Sequence, residues 1–286
     1  MGQRLLYINW DVGLVNSVNE ALLEMYYLRA FADIFESCYG KRILKIFKPS
    51  QQMESLVGFD QAWVKTTWAE RDFYDYIKAG TTKKVNEDKF YIGYFMQFKV
   101  VEQLRRIRSG PNKVSVPSHF SVPYYRSELK TEPSKTQTIS QHETLYNLRK
   151  NINNAYVYYI CPMLFDSSEI YNYPDLDKVQ VIDIKNAPDP TSWKSGERHF
   201  IMFQDENGSD MHWCSDPIKG KSLNFKEWIN GDSIPKKLTN LEILRLITDI
   251  KEQIKKLNKE NINEEKQEKN NLPPNFTVIE FENLVE

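Results

Sequence analysis

Asp60, Gln97 and Lys99 are the residues of this chain whose types and spacing suit a reaction. Asp60 follows Gly58 and Phe59 in an apolar run, and Gln97 and Lys99 flank Phe98 in the most strand-like segment of the sequence, Phe90 to Val101. Residues i and i+2 of a strand share one face, roughly 7 Å apart at about 3.3 Å per residue. The amide and the amine therefore project together. An ammonium between Phe98 and Val100 is costly to bury unless it has a partner. Set beside a carboxylate, such a pair offers what phosphodiester hydrolysis needs: acid oxygens to hold a divalent cation, and a fixed positive group near the attacking water or a non-bridging oxygen. A neutral amide binds Mg²⁺ more weakly than a carboxylate, so a further acid is expected beside Gln97. Glu54 and Glu20 compete for that role, with Glu24 a weaker candidate one helical turn after Glu20.

The elements that must position these groups follow from the hydrophobic pattern. Leu22, Leu23, Tyr26, Tyr27, Ala30, Phe31, Ile34 and Phe35 recur at helical spacing. They predict a helix from about Ser17 to Ser37, capped by Asn16 or Ser17 and ended by Gly40. Strands are predicted at Arg42–Phe47, at Val57–Val64 carrying Asp60, and at Phe90–Val101 carrying Gln97 and Lys99. If the second pairs beside the third, all three groups share one surface. The stretch at about 65–89 reads as an insertion with one short helix. Further strands are expected at Tyr124–Leu129, Tyr156–Leu164, Val179–Ile184 and His199–Phe203, and a helix at Gln141–Lys150. Asp205-Glu206-Asn207-Gly208 is turn chemistry. In the tail, Ile243, Ile247, Ile250, Ile254 and Leu257 follow a 4-3-4-3 spacing. That predicts a long charged helix with a short seam, suited to a homo-oligomer or a partner protein. Pro273-Pro274 breaks it, and Phe276–Val285 is apolar enough to dock back as a strand.

Glu54-x3-Gly58-Phe59-Asp60 followed by Gln97-Phe98-Lys99 resembles the active-site pattern of the PD-(D/E)XK, or restriction-endonuclease-like, nuclease superfamily, in the variant where glutamine stands before the lysine. Glu20 matches the helical glutamate that many members carry near the N-terminus. Tyr125-Arg126, Gln141-His142-Glu143 and Tyr158-Tyr159-Ile160-Cys161-Pro162 are similar to segments of uncharacterised bacterial proteins with this core. The resemblance covers roughly residues 16 to 165. It implies an α/β fold with a central mixed sheet flanked by helices, extended by C-terminal strands and the charged helix. The expected division is a nuclease core at 1–165, a β-rich extension of the same domain at 166–236, and a tail at 237–286. The implied activity is Mg²⁺-dependent cleavage of DNA, with Mn²⁺ as a substitute and RNA an open alternative. Asp60, Gln97, Glu54 and Glu20 would form the metal set, with Lys99 as the catalytic cation. Bacterial nucleases of this kind often serve restriction or anti-phage defence, so that role comes with the resemblance. Glutamine in place of an acid keeps a second implication open: a module that has lost cleavage and retains recognition of nucleic acid or of a partner within a defence complex.

Arg105, Arg106, Arg108 and Lys113, with His142, are the candidates for holding a nucleic-acid backbone. The net charge of −1, from 38 basic and 39 acidic residues, argues against non-specific coating of DNA but permits a local patch. Three dispersed cysteines exclude a disulfide framework and a thiolate zinc site, and point to reduced thiols in the cytoplasm. His119, His199 and His212 lack HxxxH or HxH spacing, so a histidine metal site is not expected. No P-loop, GxGxxG or GxSxG supports an NTPase, kinase or serine hydrolase. No window approaches 18 apolar residues, so no membrane span is expected.

Overall fold

A computed structural model of the chain describes residues 18–39, 44–50, 54, 56–65, 70–84, 92–107, 115–134, 137–152, 155–193, 196–231 and 276–279. The seam at 243–257, Arg108 and Lys113 lie outside these residues.

The first helix, α1 (Glu20–Tyr39), is capped by Asn19 rather than by Asn16 or Ser17: its Oδ1 accepts the Leu22 N–H at 2.8 Å. Strands β1 (Leu44–Pro49), β2 (Gln61–Lys65) and β3 (Ile92–Phe98) form an antiparallel run, and β3 pairs in parallel with β6 (Ala155–Pro162). The helix α2 (Glu70–Gly80) joins β2 to β3. It is no surface insertion, because Phe73 and Ile77 are fully buried in the core. The helix α3 (Gln141–Asn151) makes the return from β3 to β6. Its N-cap Ser140 accepts the Glu143 N–H at 3.1 Å. A parallel pair requires such a crossover, and its strands read as continuously apolar because both faces are covered.

The first sheet has seven strands in the order β11-β7-β6-β3-β2-β1-β12. Strands β7 (Val179–Asp183) and β11 (Leu223–Asn224) close one side, and β12 (Phe276–Ile279) closes the other, antiparallel to β1, as the apolar end segment predicts. A second, antiparallel sheet of five strands runs β10-β9-β8-β5-β4. It comprises β4 (Glu102–Leu104), β5 (Tyr124–Leu129), β8 (His199–Phe203), β9 (His212–Cys214) and β10 (Ile218–Lys219). Strands from the 166–231 segment thus complete both sheets, so that segment shares the core of the first half.

Alternation along the strands sorts the core into layers. Tyr94, Met96, Phe98, Tyr158 and Ile160 face α1 and the short helix α4 (Phe225–Asn230), where Phe31 stacks on Phe98 and Phe225. Phe95, Val157 and Tyr159 face the other way, into a layer shared with α2, α3 and the inner residues of the second sheet, Tyr125, Ile201 and Trp213. Gln97, two residues on from Phe95, belongs to that second face.

Asp60 is not inside a strand. Glu54 lies in a helical turn, with its N–H on the Ser50 carbonyl at 2.8 Å and the Gly58 N–H on its own carbonyl at 2.7 Å, and the chain leaves it through Gly58 at φ +81°. Asp60 then enters the sheet, its N–H donating to the Met96 carbonyl at 2.9 Å. Gly58 meets two demands at once: a backbone angle that L side chains rarely adopt, and a close approach to α3. A Cβ there would stand 3.1 Å from Leu145 Cγ and 3.3 Å from the Gln141 carbonyl. Gly58→Ala is expected to cost about 1–3 kcal/mol, read as a lower urea midpoint with an unchanged m-value. An unchanged midpoint would contradict this account of the turn.

Candidate functional site

The three groups singled out by type and spacing come together. The Gln97 Nε2 donates to Asp60 Oδ2 at 2.8 Å, and the Phe98 N–H donates to the same oxygen at 2.6 Å. Both donors converge on Oδ2 of a side chain that is only 4% exposed. Lys99 lies just past the end of β3, its N–H on the Ile160 carbonyl at 2.8 Å. Its side chain is fully buried beside the Tyr159 ring, and its Nζ donates to Glu20 Oε1 at 3.1 Å.

One residue not assigned a site role from the sequence links these groups. Gln141, the first residue of α3, donates from Nε2 to Gln97 Oε1 at 2.8 Å and to Glu54 Oε1 at 3.5 Å, and it accepts from Lys99 Nζ at 3.4 Å. Only its position at a helix start after a polar loop marked it in the sequence. The resulting network ties four segments of the chain: the α1 start, the Glu54 turn, the β3 end and the α3 start.

These segments surround an open cavity of about 620 Å³, with Glu20, Glu24, Glu54, Asp60, Lys48, Lys130 and Gln141 on its lining. Gln97 and Lys99 lie beneath that lining. Gln97 is fully buried, with its Oε1 taken by Gln141 and its Nε2 shared between Asp60 and the Phe98 carbonyl. It orients Asp60 and does not face the cavity. Two lysines unmarked in the sequence contribute: Lys48 pairs with Glu24, and Lys130 pairs with Glu20 at 3.5 Å. Neither has a local sequence signal, since Lys48 is the next-to-last residue of β1 and Lys130 follows β5.

The electrostatics of the cavity are divided. Burial pushes the Asp60 carboxyl well above its ordinary range, and repulsion from Glu24 and Glu54 adds to this, against the attraction of Lys99 and the Phe98 N–H. Burial likewise raises Glu24; Lys48 opposes the rise, and Glu54 and Glu20 add to it. For Glu20, burial also works upward, but Lys99 and Lys130 outweigh it and the pKa is lowered.

The expected nucleic-acid contacts are not gathered at this cavity. Arg105 and Arg106 are exposed and follow β4 at the edge of the second sheet. His142 is fully buried, its Nδ1 at 2.7 Å from the Tyr159 hydroxyl and its ring stacked on Trp193. Burial pushes its pKa down to about 3, so it is a neutral core residue. Its place on the inner face of α3 forbids the phosphate contact expected of it. Cys161 and Cys214 are buried free thiols. Among the described residues, no helix is long and apolar enough to cross a membrane.

The chain matches no family model, no curated protein and no solved structure.

The pKa directions fix how stability varies with pH. Asp60 and Glu24 bind protons more tightly folded than unfolded. Their contribution is therefore present below the ordinary carboxyl pKa and is lost as pH rises through the raised folded values. Glu20 has the opposite sign: its contribution is lost as pH falls through its lowered value. Asp60→Asn keeps both bonds to Phe98 and Gln97, because one carbonyl oxygen receives both, and it removes the uncompensated charge. The variant is expected to be more stable than wild type at pH 7–8 without divalent cations, with a smaller loss of thermal midpoint between pH 5 and 8. A lower midpoint across that range would show that the carboxylate is not under electrostatic strain.

Proposed function

We propose that this cavity is the active centre of a divalent-cation-dependent phosphodiesterase that cleaves DNA. The single observation that carries the reading is the convergence of Asp60, Gln97 and Lys99, from the β2 approach and the end of β3, with the carboxyls of Glu20 and Glu54. The donor set suits a hard cation: carboxylate oxygens and no sulfur, with the two hydrogen bonds to Asp60 among the described residues both falling on Oδ2. Asp60 and Glu54 would supply the acid oxygens for Mg²⁺ or Mn²⁺; among the described residues no third acid completes a set within 4.8 Å at this cavity, so water would fill the remaining positions. Bound there, such an ion supplies positive charge to polarise a phosphate oxygen and favours ionisation of water.

The chain's own residues have separable roles in this reading. Gln97 holds the Asp60 carboxylate in one orientation and does not itself act as a ligand. Gln141 fixes the Gln97 amide and spans the distance to Glu54. Lys99, desolvated and aimed at Glu20, is placed to stabilise charge developing on the phosphate at the cavity floor, where low polarity strengthens the effect. Lys48 and Lys130, half exposed at the same cavity, suit contacts to flanking phosphates better than Arg105 and Arg106 do. A role in restriction or anti-phage defence rests on the resemblance of the Glu54–Asp60 and Gln97–Lys99 motifs alone.

One observation favours a second reading, a recognition module without cleavage. Glutamine stands where an acid would add charge, and its amide is fully engaged in hydrogen bonds. The two readings part in one assay. Plasmid and single-stranded DNA and RNA are incubated with the protein and Mg²⁺ or Mn²⁺, and wild type is compared with Lys99→Met and Asp60→Asn. Methionine fills the lysine's apolar slot and leaves Glu20 paired with Lys130, so the fold should survive. Each variant is expected to lower the cleavage rate by about 10²–10³-fold while retaining DNA on a gel. A wild type that retains DNA but never cuts it supports the recognition module. Cleavage unchanged in both variants would remove the cavity from the chemistry.

A further inference from the structure

We propose that His119, Asp210 and His212 form a binding site for a zinc-class transition-metal ion, separate from the carboxylate cavity. The three come from two segments far apart in sequence. His119 lies on the loop that leads into β5, Asp210 ends the β8–β9 connection, and His212 opens β9. One ligand atom from each lies within 4.8 Å of the other two. None of the three lines the carboxylate cavity.

The chemistry of the set is selective. Two imidazoles and one carboxylate suit Zn²⁺, with bonds of about 2.0–2.2 Å, and suit Mg²⁺ poorly, since Mg²⁺ prefers oxygen ligands and water. Three protein ligands leave the fourth tetrahedral position to water or another small ligand. The backbone is already shaped for the task. Asp210 sits at φ +48°, a left-handed conformation uncommon for a residue other than glycine. The preceding turn is held by Asp205 Oδ1, which accepts the N–H groups of Asn207 and Ser209 at 3.0 and 3.1 Å. The His119 loop is tied to the same connection through Gln204, whose Oε1 accepts the Ser121 N–H at 2.9 Å. His212 is almost fully buried, with its Nδ1 at 3.0 Å from the Asp210 carbonyl, which fixes the ring.

The charges also fit. His119 Nε2 contacts Asp210 Oδ2, while Lys219 takes the other oxygen, Oδ1, at 3.4 Å. A metal there would stand in for the hydrogen bond between His119 Nε2 and Asp210 Oδ2. Lys219, largely exposed, remains on the outer oxygen and orients the carboxylate. His119 is itself more than half exposed, so its ring can turn to shorten the ligand spacing. Bound in this way, the ion would clamp the loop before β5 onto the β8–β9 connection.

The test uses the full chain, stripped with a chelator and titrated with ZnCl₂ in a large excess of Mg²⁺, which keeps the carboxylate cavity occupied by the harder ion. The expected result is one Zn²⁺ per chain, a raised thermal midpoint, and the visible absorption of a four-coordinate ion when Co²⁺ replaces Zn²⁺. His119→Ala is on the surface and should fold normally; it is expected to weaken Zn²⁺ binding at least about tenfold. Asp60→Asn should leave the titration unchanged, so this result stands apart from the fate of the phosphodiesterase reading. Failure of wild type to bind a stoichiometric Zn²⁺, or equal binding by wild type, His119→Ala and His212→Gln, would overturn the site.

Discussion

The buried carboxylate of Asp60 is the constraint around which the rest of the site is arranged. An ionisable group sealed from water is costly unless its oxygens are satisfied. Here one oxygen receives both a backbone N–H and a side-chain amide. That solution requires β3 to run beside the approach to β2 in a fixed register, with Gln61 opposite Met96, so that Phe98 and Gln97 reach the Asp60 side chain. It also requires Gly58, because only a left-handed turn carries the chain from the Glu54 helical turn into the ladder without striking α3. Asp60 also lines the cavity, so the carboxylate that the fold anchors through Oδ2 stands at the cavity wall.

Helix ends supply the remainder. Both α1 and α3 begin at the cavity, α1 with Glu20 and α3 with Gln141. A helix start favours negative charge nearby, so the carboxylates of Glu20 and Glu54 meet a field that partly offsets their repulsion. Lys99 contributes most where it is least solvated. Its ammonium is fully buried but ends on Glu20 and the side-chain Oε1 of Gln141, a pairing that leaves one charge of the couple, Glu20, partly open to solvent. Buried pairs of this kind add little to stability compared with apolar packing.

Much of this was legible in the sequence, and the reasons for the rest are physical. The 3.6-residue period of Leu23, Tyr27, Phe31 and Phe35 gave α1 because that face lies directly on the sheet. The continuous apolar runs at β3 and β6 are explained by their parallel pairing at the sheet centre. The i, i+2 relation of Gln97 and Lys99 predicted that both reach one neighbour, and Gln141 is that neighbour. Asp60 was misplaced inside a strand because Val57, Phe59, Ala62 and Val64 are all core residues, and apolar content cannot reveal the turn that Gly58 makes between them. The segment at 65–89 looked like an insertion since its charges are conspicuous, whereas Phe73 and Ile77 make α2 part of the core. His142 illustrates the limit most clearly: a histidine near a helix start reads as a polar contact until the second sheet is seen to cover that face.

Residues that meet only through tertiary structure leave no trace in spacing. Lys48 and Lys130 belong to this class, as do His119 and His212, 93 positions apart by their numbering. Asp210 and His212 share an i, i+2 spacing, but Asp210 precedes β9 at φ +48°, so the strand rule does not bring them to one face. A mixed Asp-x-His pair also lies outside the HxH and HxxxH spacings by which histidine metal sites show in a sequence. The two clusters differ in chemistry as well as in place. One is built of carboxylates and a desolvated amine, and suits a hard ion beside a phosphate. The other is built of imidazoles and one carboxylate on a second sheet, and suits a borderline ion. In the two proposed readings, ligand type, and not affinity alone, is what would keep the ions at the two clusters distinct.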